Sequence, residues 1–287
     1  MSLAVVGLGA MGAGMATRLL QSGFPLTVHN RTAAKAEPLI QAGAVWAAQP
    51  QDAAGDNDVV LLSLADEQAV EETLFERMLP ALKPGTVVVD TTTTSAAYAA
   101  AAAERLAAHG VRRVELCLIG NPAMAAQGKL RLFAAGDQRD VAEIEHVLTA
   151  IGGELRYLGP PGMACTMKLA FNLLLGVQTV GLAEAVALGV RAGLDRTMLI
   201  NAITGSAFCS PALAFRAAFM RDGSYEPAAF RARLMAKDLH LAASDADAGG
   251  LSLPVCSRAA ERLDEAVAAG RGDEDSAVVV ETALAAR

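Results

Sequence analysis

The stretch Leu3-Ala4-Val5-Val6-Gly7-Leu8-Gly9-Ala10-Met11-Gly12, LAVVGLGAMG, decides the fold. Four consecutive apolar residues suit a strand buried on both faces. The glycines end that strand, and the following GMATRLLQSG has a helical pattern that stops at Gly23. The unit is therefore strand, glycine turn, helix. Gly7 permits the tight turn, Gly9 lets a backbone approach a pyrophosphate, and Gly12 lets helix and strand pack closely. The helix N-terminus offers free amides and the positive end of its dipole to phosphate. Gly7, Leu8, Gly9, Ala10, Met11 and Gly12 are candidate residues for holding a dinucleotide.

The second apolar run, Leu26-Thr27-Val28-His29, ends in Asn30-Arg31-Thr32, with Lys35 one helical turn on. A site for NAD(H) usually places a carboxylate here, on the ribose hydroxyls. A carboxylate repels a 2′-phosphate, whereas a guanidinium pairs with it. Asn30, Arg31, Thr32 and Lys35 thus point to NADP(H) as the preferred cofactor. NAD(H) stays possible if Arg31 is only an exposed loop charge.

Strands and helices go on alternating, which places a Rossmann doubly wound α/β domain in the first half. Asp58–Leu62 reads as a strand followed by the turn Ser63-Leu64-Ala65. Thr86–Asp90 reads as another, followed by Thr91-Thr92-Thr93-Thr94-Ser95. Ligands of such sheets bind beyond the carboxyl ends of the strands. Ser63, Leu64, Ala65 and Thr93 are therefore candidates to line the cofactor, and Thr93 also the substrate. The alternative is that the threonines only cap the helix Ala96 to Ala108, and both hold if one threonine caps while another points into the cleft. Strands are expected at 111–118, 129–135 and 154–158, with one helix at 141–151 before the last. Gly159-Pro160-Pro161-Gly162 punctuates the chain, so the expected domains are 1–161, doubly wound, and 162–287, all-helical.

The second half opens on GMACTMKLAFNLLLGVQTVGLAEAVALGVRA, Gly162 to Ala192, a proline-free helix of about 45 Å. It is apolar on nearly every side, so it is expected to be the buried spine of a domain or of an interface between copies. Lys168 and Asn172 lie four residues apart on one face of it. Polar groups on an apolar rod are costly unless something satisfies them. Snorkelling by Lys168 and a local bond from Asn172 would serve, and so would a substrate. Helices are then expected at 196–204, capped by Asp195, and at 212–221, 230–248, 255–269 and 276–286. Lys237 and Asp238 stand among leucines in the fourth of these six helices. Lys237 is a candidate to hold cofactor or substrate.

Composition excludes other classes. The net charge is −7 with no basic run, which argues against nucleic acid. The apolar fraction of 53% with 19% charged residues is that of a globular chain. Asn172, Gln178, Thr179 and Glu184 interrupt the one long apolar stretch, so a membrane span is not expected. The four cysteines form no CxxC pair. They read as core residues in a reducing, cytoplasmic setting, and the first residues show no basic leader. Asp238, His240, Asp245 and Asp247 match no ligand spacing, so no metal is expected.

Four ordered motifs resemble the β-hydroxyacid dehydrogenase family, which includes 3-hydroxyisobutyrate dehydrogenase and the glyoxylate/succinic semialdehyde reductases. They are GLGAMGAGMATRLL, Asp90 to Ser95, Gly162 to Asn172, and Lys237-Asp238-Leu239. The resemblance implies NADPH-dependent reduction of a carbonyl, or oxidation of a hydroxy acid, with Lys168 as catalytic acid/base. It implies that Asn172 is the lysine's polar neighbour at the substrate and that Lys237 contacts cofactor or substrate. It also implies a homodimer or homotetramer built on the helical domain. The family's substrate loop usually reads Asp-Ala-Pro-Val-Ser-Gly-Gly. Here Glu115 to Asn121 stand in its place, with Ile119 for the serine. Gly120 and Asn121 remain the residues expected at the substrate's far end. Imine reductases share this architecture but generally lack the lysine. An NADPH-binding protein without turnover is the other alternative.

Overall fold

The computed structural model describes residues 1–285. Ala286, the last residue of the expected final helix, lies outside them. The fold divides into two compact units, residues 1–168 and 169 onward. The division falls inside the long helix, six residues beyond the punctuation at Gly162.

The first unit is built on one sheet of eight strands, β1 (Leu3–Val6), β2 (Leu26–His29), β3 (Val45–Trp46), β4 (Val59–Leu62), β5 (Val87–Asp90), β6 (Arg112–Ile119), β7 (Leu130–Gly136) and β8 (Gly152–Gly159). Their order is β3-β2-β1-β4-β5-β6-β7-β8. The strands β1 to β6 are parallel, β7 runs antiparallel to β6, and β8 runs parallel to β7. Period-two alternation explains why the sheet is covered on both sides. Leu3, Val5, Val28, Leu61 and Val89 face one core; Ala4, Val6, Val60, Leu62 and Val88 face the other.

The covering helices are α1 (Ala10–Gln21), α2 (Glu37–Gln41), α3 (Pro50–Ala54), α4 (Glu67–Val70), α5 (Ala96–Ala107), α6 (Pro122–Ala126), α7 (Gln138–Glu143) and α8 (Glu145–Ile151). The wider turns of Glu71–Met78 continue α4. Met15 and Leu19 of α1 and Leu148 and Ile151 of α8 fill the first core; Leu74, Met78, Ala102 and Leu106 fill the second. The single helix expected at 141–151 is two. Ile144 leaves helical backbone at φ −102°, ψ 10° and buries its side chain completely. The helices α1 and α6 touch backbone to side chain at Gly14. A Cβ there would stand 2.9 Å from Ala125 Cβ and from the Pro122 carbonyl.

The helix α9 (Met163–Arg191) has 29 residues, as its composition requires. By length and composition it could cross a membrane. One face of it, with Leu169, Val180, Ala183 and Val186, belongs instead to the core of the second unit. That core is completed by α10 (Arg196–Thr204), α11 (Pro211–Asp222), α12 (Ala232–Ala248), α13 (Pro254–Ala266) and α14 (Val279–Ala285). The opposite face is exposed, so within the single chain the helix is not buried on every side. Phe171, Leu174 and Leu188 lie on it at 42%, 55% and 75% exposure, on a stripe with Gly181 and Ala185. Asp195 caps α10 as expected, accepting from Met198 N at 2.7 Å.

Candidate active site

The glycine loop and the neighbouring strand ends are knitted together before any ligand is considered. Gly7 has φ +98°, and a Cβ on it would stand 2.3 Å from the Ser63 carbonyl. A Cβ on Gly12 would stand 1.9 Å from the Gly7 carbonyl. A Cβ on Gly9 would meet nothing within 4 Å. Gly9 precedes α1, and no side chain caps that helix start. The loop is thus closed by backbone contacts at Gly7 and Gly12 and open beside the free amides of α1. A dinucleotide pyrophosphate fits that opening in shape and in charge.

Asn30 acts on the loop itself. Its Oδ1 accepts from Leu8 N at 2.9 Å, and its Nδ2 donates to the Thr32 carbonyl at 3.0 Å. Arg31, Thr32 and Lys35 are exposed beside it. Neither Arg31 nor Lys35 has a carboxylate partner among the described residues.

The N-cap of α5 is Ser95, whose Oγ accepts from Tyr98 N at 3.2 Å. Serine at the position before the helix has the same short reach and stronger preference. Two of the threonines tie loops together. Thr91 Oγ1 donates to the Leu62 carbonyl at 2.7 Å, and Thr92 Oγ1 accepts from Leu64 N at 3.2 Å. Ser63 and Leu64 are thereby fixed between Gly7 and the threonine turn. Thr93 is half-buried, and Ala65 is exposed.

Lys168 is half-buried, and its Nζ donates to the Leu118 carbonyl near the end of β6 at 2.8 Å. An ammonium has three N–H groups, so two remain. Cys117, next along the strand, is no rival base: burial pushes its thiol up to about 11, only partly offset by the Lys168 charge. Ile119, the last residue of β6, packs with Phe133, Leu158 and Met167 around Cys117, Ala135 and Ala164. Gly120 has φ +149°, which a side chain rarely tolerates, and it is exposed. Asn121 caps α6, its Oδ1 accepting from Met124 N at 3.0 Å, and its NH₂ remains for a ligand.

Sequence reasoning missed a chain of buried charges beneath this point. Asp90 and Arg113 form an ion pair at 2.9 Å, and both are buried. Burial works against the Arg113 charge, but Asp90 and Glu115 more than offset it. Glu115, also buried, accepts from Gly162 N at 2.6 Å and from Cys165 N at 3.4 Å. Charged residues inside a strand were the available signal, since such residues are rarely buried without partners.

In the second unit Asn172 is buried, and its Nδ2 donates to Asp238 Oδ2 at 2.6 Å. Lys237 Nζ lies 2.8 Å from the other carboxylate oxygen, a charge contact between adjacent residues without hydrogen-bond alignment. Asn172 is thus held by Asp238. His240 pairs with Asp264 at 2.7 Å on the surface.

Comparison with known proteins agrees with this geometry. Residues 2–159 match the model of the NAD binding domain of 6-phosphogluconate dehydrogenase. Residues 162–283 match that of the NAD-binding domain of NADP-dependent 3-hydroxyisobutyrate dehydrogenase. The chain is 32% identical to L-threonate dehydrogenase of Cupriavidus necator, over 97% of this chain and 95% of that one. It is 29% identical to glyoxylate/succinic semialdehyde reductase 1 of Arabidopsis thaliana, over 98% of each. A solved 3-hydroxyisobutyrate dehydrogenase from Salmonella typhimurium superposes with a TM-score of 0.92 at 29% identity, covering 98% of this chain and 99% of that one. A glycine loop shaped for a dinucleotide, a lysine of α9 anchored near the end of β6 and matches along nearly the whole chain make it a member of the β-hydroxyacid dehydrogenase family, an NAD(P)-dependent oxidoreductase acting on CH–OH groups.

Proposed function

We propose that the protein reduces the aldehyde or keto group of a small, carboxylate-bearing substrate to the alcohol with NADPH, Lys168 serving as general acid. The observation that carries this is the Lys168 ammonium, half-buried and anchored to the Leu118 carbonyl with two N–H groups to spare. NADPH supplies the hydride when bound. The ammonium donates a hydrogen bond to the substrate's carbonyl oxygen, stabilises negative charge as it develops, and transfers a proton to that oxygen. In the reverse direction the neutral amine takes the hydroxyl proton.

The other assignments complete the reading. Gly7 to Gly12, Ser63, Leu64 and Ala65 bind the cofactor, with Asn30 holding the loop. Exposed Arg31 and Lys35, free of carboxylate partners among the described residues, bind the 2′-phosphate, and this supports NADP(H) over NAD(H). Thr93, Gly120, Asn121, Asn172 and Lys237 contact substrate, Thr93 and Lys237 also cofactor. Ile119 offers no hydroxyl to a carboxylate, which supports a substrate less acidic or bulkier than the smallest semialdehyde acids. The apolar stripe of Phe171, Leu174 and Leu188 supports a homodimer or homotetramer through the helical unit. Its setting is cytoplasmic.

The test is an absorbance screen at the nicotinamide band with NADPH and NADH against glyoxylate, succinic semialdehyde, tartronate semialdehyde, non-acidic aldehydes and cyclic imines. An aldehyde acid should win, with NADPH. Lys168→Ala should keep NADPH affinity within a few-fold while turnover falls about 10²–10⁴-fold. Unchanged turnover removes Lys168 from the reaction. Tight NADPH binding with no turnover on any compound leaves a cofactor-binding protein in place of an enzyme.

A further inference from the structure

Glu115 is a buried carboxylate that the reaction chemistry above does not use. Its two oxygens accept from Gly162 N and Cys165 N, donors at the start of α9. Amides there lack partners within the helix and face the positive end of its dipole, so a carboxylate is the natural cap. Lys168 stands three residues past Cys165 and bonds Leu118, three residues past Glu115 on β6. One strand therefore grips the same helical turns twice, by a carboxylate at their start and by a carbonyl at the ammonium. Two further contacts restrain the same turns. Thr94 Oγ1 lies 3.3 Å from Cys165 Sγ, and a Cβ on Gly162 would stand 3.1 Å from the Ala96 carbonyl. Arg113, two residues earlier on β6 and paired with Asp90, also feels the Glu115 charge.

Resting on the reading of Lys168 as the acid, we propose that Glu115 is a positioning residue for it. By clamping the first turn of α9 to β6, the carboxylate sets the height of the ammonium above the strand end. A misplacement of about 1 Å at a reacting group costs about a hundredfold in rate. The pair of bonds needs a carboxylate, because a carboxamide turns an NH₂ towards one of the two amide donors.

The experiment compares wild type, Glu115→Gln, Glu115→Asp and Lys168→Ala in the full chain loaded with NADPH. Hydrogen exchange of the 162–168 segment reads the clamp without relying on turnover. Turnover with the fastest carbonyl compound of the screen, and NADPH titration by fluorescence, read its consequence. Glu115→Gln should exchange about tenfold faster in that segment. Its kcat should fall about 10–100-fold, with KM and NADPH affinity within threefold. Glu115→Asp, which keeps the charge and shortens the reach, should move in the same direction by less and covers the case in which the glutamine variant does not fold. Added to Lys168→Ala, Glu115→Gln should cost no further turnover, because its effect passes through the lysine. Unchanged exchange, or a kcat within twofold of wild type while Lys168→Ala is inactive, overturns the proposal and leaves the lysine reading standing. Full turnover in Lys168→Ala overturns the lysine reading, whatever the exchange shows.

Discussion

Two glycines three residues apart should respond to the same methyl group in opposite ways. In Gly12→Ala the new carbon would stand 1.9 Å from the Gly7 carbonyl oxygen, 3.1 Å from its carbon and 3.2 Å from Ser63 Cβ. The first contact falls about 1.5 Å short of ordinary separation, and its partner is backbone in a turn already fixed at φ +98°. Relief requires α1 to move off β1. Overpacking of this kind costs about 1–3 kcal/mol, and a backbone opponent puts it near 3. That corresponds to a fall in Tm of about 6–12 °C for a unit of this size. In Gly9→Ala nothing lies within 4 Å, and the backbone at φ −66°, ψ −178° suits any residue. Its stability should stay within about 1 kcal/mol of wild type. The methyl would instead fill the opening assigned to the pyrophosphate, so NADPH should bind at least about tenfold more weakly, about 1.4 kcal/mol. Thermal unfolding of the cofactor-free protein and fluorescence titration with NADPH separate the two effects. Wild-type NADPH affinity in Gly9→Ala would show that the phosphates do not lie on the open side. A wild-type Tm in Gly12→Ala would refute the packing argument.

Three further outcomes are expected. Arg31→Ala should weaken NADPH about 10–100-fold and leave NADH unchanged, the loss of a charge-assisted contact to the 2′-phosphate; equal effects on both cofactors in paired titrations would remove Arg31 from that role. Asn172→Ala should cost about 2–3 kcal/mol by leaving the buried Asp238 oxygen unpaired, seen as a lower urea midpoint with unchanged slope. Glu281 is held below its ordinary value of 4.5: burial opposes its charge, but the Tyr225 hydroxyl and Arg196 outweigh burial. A depressed carboxylate contributes stability above its unfolded-state value and loses it as pH falls through the folded one. Glu281→Gln should therefore flatten the acid limb of Tm against pH below about 4.5, and an unaltered limb would count against the assignment.

Much of this was legible because it rests on local chemistry. Gly7, Gly9 and Gly12 announce a strand–turn–helix, and a lysine on an apolar rod marks Lys168 as a candidate without geometry. The partners were less legible, for physical reasons. Leu118 offers only its carbonyl, which carries no side-chain signature, and it lies 50 residues from the lysine it holds. Glu115 is 47 residues from the amide it caps, too far for any capping pattern. Which hydroxyl occupies the N-cap of α5 was not legible, since four threonines and a serine in a row are chemically alike and backbone position selects Ser95. The edge strand β3 is two residues long, with Val45 exposed, too short to show a period. The reversal of β7 follows from the connection after Asn121, a tight turn and a five-residue helix.

The contact at Gly14 bears on how this protein could be re-engineered. Since α1 leans on Pro122 and Ala125 with no room for a methyl, the segment that begins at Gly120 is bolted to the nucleotide-binding helix. Lengthening or shortening that segment to admit a new compound would shift the bolt and disturb nucleotide affinity as well. Changing selectivity should thus proceed by exchanging side chains at constant length, at Ile119 first, where the packed surroundings are side chains and can give.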